Sequence, residues 1–374
     1  MLTLTELREI AAINPDTEYY VTLYLNVDPV TNPRGEYMIR VRNMLKETPG
    51  NIGKKVYKAV ARDLEKIDSY FVTGKRQFKK SVCLMSSAGK DFFWREYHLS
   101  VPVKSEIYVE KTPYLEPLFN IFDNYPAYLA LLVSKEDARI FVVRMGEIIE
   151  YGEVHTPDIT GRHSKGGWFA LEQDHYERHT DFHVGLHMGD VALRLEEFAR
   201  RQNISALVIG GPEESMSMSM AKLPKGISEK IIGTFAAGMY ESPDDVLKKA
   251  DPVIREHEQK EKQRLIEELI TRVYKNKQAV LGIEDVILMT EEQRIQTLLV
   301  DADYRQQPGY FCANCRAMSL SPGSCRYCGG NTEEVNYMVD LVMQKTAEQG
   351  GKIEVVPGSE KLKNAGRIGA LLRF

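Results

Sequence analysis

The sequence lacks the features of a membrane or secreted protein. None of its apolar runs reaches the roughly 20 residues that a membrane-spanning helix needs, and the opening MLTLTELREIAAINPD does not follow a signal-peptide pattern. The formal net charge of -4 over 374 residues argues against a general nucleic-acid coat protein. Local basic patches remain compatible with RNA contact. We therefore expect a cytoplasmic protein with two or three domains and no contact with membranes.

Several familiar ligand-binding motifs are also absent. The stretch GRHSKGG has the glycine spacing of a phosphate-binding P-loop, but Gly167 and Trp168 follow where the motif requires a lysine and a serine or threonine. A Rossmann G-x-G-x-x-G pattern and an H-E-x-x-H metalloprotease pattern are missing as well. These absences argue against a P-loop nucleotidase, a Rossmann dinucleotide enzyme and a metalloprotease of that type.

Cysteine is scarce, and four of the five cysteines are clustered. Cys312, Cys315, Cys325 and Cys328 have the spacing C-x2-C-x9-C-x2-C, which in a cytosolic protein favours a metal over disulfides. Four thiolates complete a tetrahedral shell, so we predict a structural zinc in a ribbon over residues 311–330. Iron and four unligated thiols are the alternatives. Cys83 alternates with apolar residues and is predicted to lie in a buried strand.

The order of apolar patterns predicts an α/β protein with three domains, over residues 1–121, 122–256 and 257–374. EYYVTLYLNV is typical of a strand, whereas GEYMIRVRNMLKE and KKVYKAVARDLEKIDSYF have helical spacing. In the middle domain, strands, a helix over 174–202 and the strand ISALVIGG favour a mixed sheet flanked by helices. The SMSMSM stretch at 215–220 is predicted to be a loop or a short exposed edge.

A long charged helix is predicted to link the second and third domains. Its apolar face consists of Leu265, Ile266, Leu269, Ile270 and Val273.

Six of the eight histidines lie between residues 155 and 187. Four of them, His175, His179, His183 and His187, are spaced by four, so that neighbours share one face of a helix. We interpret the row as a polar, partly positive helix face. A metal site and a contact with a phosphate backbone are the alternatives.

The most distinctive short stretch is GRHSKGGWFALEQ at 161–173. A surface turn with glycines for positive φ is one interpretation. The other is functional: Gly166 and Gly167, flanked by basic residues, would let the backbone approach a crowded anionic target. Gln173 can hold a water molecule by hydrogen bonds without titrating, as ester hydrolysis inside RNA would require.

These motifs resemble the archaeal and eukaryotic type of class-1 peptide-chain release factors, a superfamily that includes the rescue factor Pelota. The ending GKIEVVPGSEKLKNAGRIGALLRF and the stretch TPYLEPLFNIFDNYPAYLALLVSKEDARIFVV are similar to segments of this superfamily, the latter to its bacterial branch. A divergent archaeal branch is the alternative. The resemblance implies a ribonuclease-H-like middle domain and an L7Ae-like third domain that carries the zinc knuckles.

The resemblance also implies roles for individual residues. The family's Gly-Gly-Gln loop would correspond to Gly166, Gly167 and Gln173, although Trp168 occupies the family's glutamine position and GGWFALEQ is three residues longer than the bacterial Gly-Gly-Trp-Ser-Gln pattern. The family's Asn-Ile-Lys-Ser decoding loop would correspond to GNIGKK, in a degenerate form. The residues implied to contact RNA are Arg162, His163, Lys165, Arg178, His179, Asn51 and Lys54.

The implied function is that of a translation factor that binds the ribosomal A site and promotes hydrolysis of peptidyl-tRNA, in termination or in rescue of stalled ribosomes. The implied partners are the ribosome and a translational GTPase of the elongation-factor family, and we expect a monomer off the ribosome. A non-catalytic hibernation factor that occupies the A site is one alternative, supported by Trp168. A metallohydrolase that uses the histidine row is another, and it predicts a second metal.

Overall fold

The computed structural model describes residues 2–13, 18–33, 35–72, 78–89, 93–134, 136–155, 169–305 and 307–374, and for 169–183 it describes the backbone alone. The chain forms two compact units. One contains residues 1–124 together with 262–374, and the other contains residues 125–261. The finer division into three domains at 121/122 and 256/257 remains a prediction.

The N-terminal part of the first unit is an antiparallel sheet covered by helices. The strand order is β3-β2-β1-β4, and the apolar side chains of β1 pack with those of α2 and α3. Cys83 is fully buried in β2, as predicted. The elements are α1 Leu4–Ala11, β1 Tyr20–Asn26, α2 Tyr37–Asn51, α3 Lys54–Val72, β2 Ser81–Ser87, β3 Phe93–Leu99, β4 Glu106–Glu110 and α4 Glu116–Asn124.

The second unit contains a five-stranded mixed sheet in the order β7-β6-β5-β8-β9. The pairs β5–β6 and β6–β7 are antiparallel, whereas β5–β8 and β8–β9 are parallel. The mixed sheet predicted from the order of patterns is therefore confirmed. The elements are β5 Tyr128–Val133, β6 Asp137–Arg144, β7 Glu147–His155, α5 Phe169–Gln202, β8 Leu207–Gly211, α6 Glu213–Lys222, α7 Lys225–Ser228, β9 Ile231–Ala236 and α8 Pro243–Tyr274.

Helices cover both faces of this sheet. On one face α5 presents apolar residues at three- and four-residue spacing, and the first half of α8 does so on the other. The sheet tolerates no side chain at Gly210, because a Cβ there would lie 2.5 Å from the ring of Phe235 on the neighbouring strand. The residues of α5 that face the sheet are Val184, Met188, Val191, Leu195 and Phe198.

The prediction of a loop at 215–220 is wrong, because these residues lie in helix α6. Glu213 and Glu214 in the first turn and Lys222 in the last turn complement the helix dipole. The alternating methionines concealed the helical period, since Met216 and Met220 are four residues apart and both pack against the core of the second unit.

The C-terminal part of the first unit is built on a second sheet, in the order β10-β16-β11-β15. The second half of α8 packs against this part through the predicted apolar face, on which Ile266 and Leu269 are buried. A separate three-stranded sheet, ordered β13-β12-β14, carries the cysteines. The elements are β10 Ala279–Leu281, α9 Ile283–Glu291, β11 Ile295–Asp301, β12 Gly309–Cys312, β13 Met318–Ser319, β14 Thr332–Val335, α10 Met338–Glu348, β15 Lys352–Val356, α11 Glu360–Asn364 and β16 Ile368–Leu372.

The two parts of the first unit meet through buried polar contacts. The backbone N–H of Leu115 donates to Asp340 Oδ1 at 3.1 Å, and Gln344 Nε2 donates to the carbonyl oxygen of Pro113 at 2.9 Å. Nearby, the ammonium of Lys262 lies 2.6 Å from the carboxylate of Asp123, and both side chains are buried. Helix α10 therefore connects the N-terminal segment to the C-terminal sheet.

The predicted fold class, α/β (α+β), is confirmed, and the described residues form four sheets. The more specific likenesses of single domains to ribonuclease H and L7Ae remain predictions. No helix in the described ranges combines the length and the apolar character that crossing a bilayer demands.

Candidate functional site

The four cysteines lie on two turns with the same hydrogen-bond pattern. In the first turn, Arg316 N–H donates to the carbonyl of Cys312, and Cys312 N–H donates to that of Ala317. In the second turn, the N–H of Gly329 donates to the carbonyl of Cys325, and the N–H of Cys325 donates to the carbonyl of Gly330. The fourth residue after each first cysteine has positive φ, 61° at Arg316 and 72° at Gly329. Each C-x2-C pair is thus a tight knuckle whose two thiols point the same way.

The two knuckles bring all four sulfur atoms within 4.8 Å of one another. Cys312 Sγ lies 3.5 Å from Cys328 Sγ, and Cys315 Sγ lies 3.4 Å from Cys325 Sγ. A tetrahedron of thiolates about 2.3 Å from a zinc ion would have edges of about 3.8 Å. The cluster therefore fits a four-coordinate metal, as the cysteine spacing predicted.

The surroundings of the sulfurs also suit a metal site. A Cβ on Gly330 would lie 3.3 Å from Cys328 Sγ and 3.4 Å from Cys312 Sγ, so a larger residue would crowd the cluster. Hydrogen bonding from the backbone of Gly330 and the side chain of Asn314 lowers the pKa of Cys328 to about 6. The backbone amide of Gly330 therefore faces sulfur, as expected from the sequence.

The four cysteines are the one group of at least three potential ligating side chains found among the described residues. His187, the last of the histidine row, is fully buried in the core beside β6. Burial lowers its pKa, against the opposing effect of a hydrogen bond with the backbone of Asp137. The interpretation of the row as a polar face is therefore wrong for His187. The side chains of His175, His179 and His183 lie outside the described residues.

The predicted decoding residues flank the junction between two helices. Asn51 is the last residue of α2 and Lys54 the first of α3, and both are exposed. Lys55 and Lys58 are exposed on the same first turns of α3. The GNIGKK segment therefore lies between two helices of the N-terminal part, where the resemblance places the decoding loop.

The Gly-Gly segment follows β7 and leads into α5. Arg162, His163, Lys165, Gly166 and Gly167 lie outside the described residues. The backbone of Gln173 belongs to the second turn of α5, and Arg178 and His179 follow on the same helix. The side chains of these three residues also lie outside the described part, so their roles remain predictions.

An open cavity of about 280 Å³ lies where β6 begins and β7 ends. No sequence motif indicated it, because its residues come from three separate segments. The only local signal was the location of His155, six residues before Gly161 of the Gly-Gly segment. The residues that line the cavity are Asp137, Ala138, Arg139, Glu153, Val154, His155, Met239 and Tyr240.

Hydrogen bonds hold the walls of this cavity. His155 Nδ1 lies 2.6 Å from Asp137 Oδ1. The guanidinium of Arg139 donates to the carbonyl oxygens of Met239 and Glu241, at 2.9 Å and 2.8 Å, and to the hydroxyl of Tyr151. The arginine therefore fastens the turn at 238–241 to the edge of the sheet.

Comparisons with known proteins identify relatives of the chain. Residues 113–255 match the family model "Bacterial archaeo-eukaryotic release factor family 10". Peptide chain release factor subunit 1 of Thermococcus sibiricus is 23% identical over an alignment of 305 residues that covers 73% of this chain and 72% of the relative. The Pelota homolog of Pyrococcus furiosus is 25% identical over 272 residues, which are 71% of this chain and 67% of the relative.

The chain is similar to release factors and Pelota. This confirms the superfamily that its motifs indicated, and the matching family model confirms the likeness to the bacterial branch over 113–255.

The solved structures that match this chain include two of archaeal Pelota. Archaeoglobus fulgidus Pelota is 16% identical, with 100% of this chain and 92% of that chain covered and a TM-score of 0.36. An archaeal Pelota bound to the ribosome with ABCE1 is 15% identical, with 100% and 94% covered and a TM-score of 0.40.

Proposed function

We propose that the chain is a translation factor for termination or for rescue of stalled ribosomes. In this proposal it binds the ribosomal A site and promotes hydrolysis of peptidyl-tRNA. The observation that carries the proposal is the similarity to peptide chain release factor subunit 1 over 73% of the chain. That alignment includes more of the chain than the middle segment matched by the family model.

Two regions would meet RNA in this function. The α2–α3 junction offers Asn51 and a group of exposed lysines at a helix start, a set that can contact phosphates or bases. The Gly-Gly segment would approach the peptidyl-tRNA ester, with Arg162, His163, Lys165, Arg178 and His179 contacting RNA phosphates. The degenerate form of the decoding pattern in GNIGKK favours stalled or vacant ribosomes over stop codons.

The proposed chemistry is attack of water on the ester carbonyl. Gln173 would position the water through its amide, while Gly166 and Gly167 would let the backbone come close to the ester. The ester C–O bond breaks, the peptide leaves as a carboxylic acid, and the tRNA regains its hydroxyl group. Preorganised donors of the surrounding RNA would stabilise the developing negative charge.

The experiment is peptide release from purified ribosomes that carry peptidyl-tRNA, with a stop codon, a sense codon or no codon in the A site. We expect release without a stop codon, and a reduction of about a hundredfold in Gln173→Ala. The matched control is Gln296→Ala, which removes an exposed glutamine of β11 in the other unit. A ribosome-pelleting assay with the same variants separates binding from hydrolysis.

Each outcome decides between the candidates. Release at stop codons alone would assign termination and give the degenerate Asn51 segment a decoding role. Tight ribosome binding without release, in the wild type as in Gln173→Ala, would favour the hibernation factor, which Trp168 at the family's glutamine position supports. Failure to bind ribosomes would overturn the proposal altogether.

We further propose that the cysteine cluster holds one structural zinc. Four thiolates would leave no coordination position for water or substrate, so the ion would stabilise the ribbon and take no part in hydrolysis. Elemental analysis of the purified chain should find one zinc per chain. Iron in its place would show as a coloured protein, and a second metal would favour the metallohydrolase.

We also propose that the chain binds a translational GTPase of the elongation-factor family. This partner comes from the superfamily resemblance alone, and co-purification of the chain with such a GTPase from its own host would test it.

A further inference from the structure

Tyr240 is an almost fully exposed aromatic residue on a firmly held turn. Its side chain is 92% exposed, yet both neighbouring carbonyls accept hydrogen bonds from Arg139. Gly238 N–H donates to Glu241 Oε1 at 2.8 Å, and Lys249 binds the same carboxylate. Because the turn is already ordered, a partner that stacks on this ring loses little conformational entropy in the protein. Such a ring is a suitable platform for a nucleobase.

The other wall of the cavity consists mainly of hydrogen-bond acceptors. The carboxylates of Asp137 and Glu153 come from adjacent strands. His155 occupies one oxygen of Asp137, and the hydroxyl of Tyr151 donates to one oxygen of Glu153. An ionised carboxylate has about four acceptor positions, so Glu153 retains several. A ligand of this wall must therefore bring donors.

The charge of the wall argues against a phosphate group as that ligand. Two carboxylates lie there, and the guanidinium of Arg139 is already committed to two carbonyl oxygens and a hydroxyl. A phosphate group would be repelled by these carboxylates. An RNA base has no such charge and can present its polar edge while its face stacks on Tyr240.

Among the four RNA bases, guanine fits the acceptor wall best. Its Watson–Crick edge places two donors side by side, N1–H and the N2 amino group, opposite one carboxylate. Adenine and cytosine present an amino group next to an acceptor nitrogen, which would face the carboxylate unfavourably, and uracil presents one N–H between two carbonyls. The cavity volume of about 280 Å³ is close to the lower limit, roughly 300 Å³, of small-ligand pockets.

We propose that this cavity binds an unpaired guanine of RNA, stacked on Tyr240 and paired through its N1–H and N2 amino group with Glu153. The choice of RNA rests on the proposed function, since His155 lies six residues before Gly161, where the segment that would approach peptidyl-tRNA begins. The guanine would belong to ribosomal RNA or to the tRNA, and the cavity would help to fix the start of that segment against RNA.

The first experiment does not need the ribosome. The full chain is titrated into fluorescein-labelled oligouridine that contains a single central guanine, adenine or cytosine, and fluorescence anisotropy gives Kd. We expect the guanine oligomer to bind about tenfold more tightly than the others. Tyr240→Ala should lose about tenfold in that affinity, and Tyr240→Phe should keep it. Glu153→Gln should remove the preference for guanine, because an amide replaces one acceptor by a donor.

The matched control is Tyr274→Ala, which removes another largely exposed tyrosine, at the end of α8. Equal affinities for the three oligomers, equal losses in Tyr240→Ala and Tyr274→Ala, or no measurable binding of any oligomer would each overturn the proposal. Binding that depends on lysines of α3 and not on Tyr240 would assign the RNA contact to the α2–α3 junction and would also overturn it.

The second experiment places a photocrosslinking amino acid at position 240 and uses ribosomes that carry peptidyl-tRNA. A crosslink to a guanine in ribosomal RNA or in tRNA would identify the source, and a crosslink to ribosomal protein would count against the proposal. Guanine-selective binding to the oligomer together with no ribosome binding would remove the proposed function and leave the cavity as a base-binding site. Normal peptide release without guanine selectivity would overturn the cavity proposal and leave the proposed function standing.

Discussion

The cysteine cluster and the cavity that Tyr240 lines, where β6 begins and β7 ends, are held together by different contacts. In the cluster, two local turns orient four thiols through backbone hydrogen bonds, and the sulfurs converge on one point. In the cavity, segments about a hundred residues apart in sequence are joined by one guanidinium, which binds two carbonyl oxygens of the 238–241 turn. The proposed zinc would therefore hold the cluster, whereas Arg139 holds the cavity.

This difference determines how each site should fail. Four thiols at contact distance have little reason to stay together without an ion, since two of them are exposed to solvent. The cavity wall is part of a five-stranded sheet with a large apolar core on both faces. Loss of its arginine should release a turn and leave the sheet intact.

The largest effect is expected when the cluster loses a ligand. Cys325→Ser should abolish stoichiometric zinc binding and unfold the ribbon, because structural zinc contributes about 10 kcal/mol or more to the folding of small zinc domains. Metal content and limited proteolysis within 309–335 measure the effect. Cys83→Ala is the control, since it removes a thiol that lies outside the cluster. Full zinc retention in Cys325→Ser would show that the cluster does not need four thiolates.

A smaller effect is expected when the cavity loses its arginine. Arg139→Ala removes the bonds to the carbonyls of Met239 and Glu241 and should cost about 2 kcal/mol of unfolding free energy. Hydrogen exchange at 238–241 should rise, while exchange in β5 and β8 should stay slow. Arg139→Lys keeps the positive charge but loses the forked geometry of the guanidinium. It should therefore recover little of the unfolding free energy that Arg139→Ala loses. Rescue by lysine would mean that charge, and not the fork, holds the turn.

The same contrast explains what the sequence could predict. The cysteine ligands lie within 17 consecutive residues, and their spacing alone indicates a metal site. Apolar periodicity likewise predicted α2, α3, α5 and the buried face of α8, because each pattern is local. The cavity requires Asp137, Glu153 and Tyr240 to meet, and that depends on the strand order β7-β6-β5-β8-β9, which no local pattern contains.

Two errors have the same origin. The methionines of 215–220 alternate in sequence, and what makes them helical is packing of α6 against the sheet core. His187 has the spacing of a polar row, yet α5 turns this residue towards β6, where it is buried. In both cases tertiary packing overrides a short sequence pattern.

The cluster is also less independent of the rest of the chain than its spacing suggests. Asn336, directly after β14, donates to Glu110 of β4 at 3.4 Å, and Lys111 lies 3.5 Å from Glu333. Burial raises the pKa of Glu110 to about 7 and that of Asp340 to about 8. The ribbon therefore adjoins buried acids whose pKa values are raised to near neutral pH.

The smallest predicted effect is a pH dependence at this contact. Asp340 has a folded pKa of about 8, above the value of about 3.9 in an unfolded chain. Folding therefore retains a proton that unfolding releases, so the stabilisation is present at low pH and is lost as pH rises through about 8. Between about pH 6 and pH 8 the unfolding free energy should fall by about 1 kcal/mol per pH unit.

Asp340→Asn should flatten most of this slope. The asparagine carbonyl can still accept from Leu115 N–H, and the amide of Gln344 can reorient to keep a bond. Glu110 and Glu116, whose pKa values burial also raises to about 7, should leave a residual slope of the same sign. Denaturant titrations of both proteins across this range measure it. An unchanged slope in Asp340→Asn would place the proton uptake elsewhere, and loss of stability on acidification within this window would mean that Asp340 folds as a carboxylate.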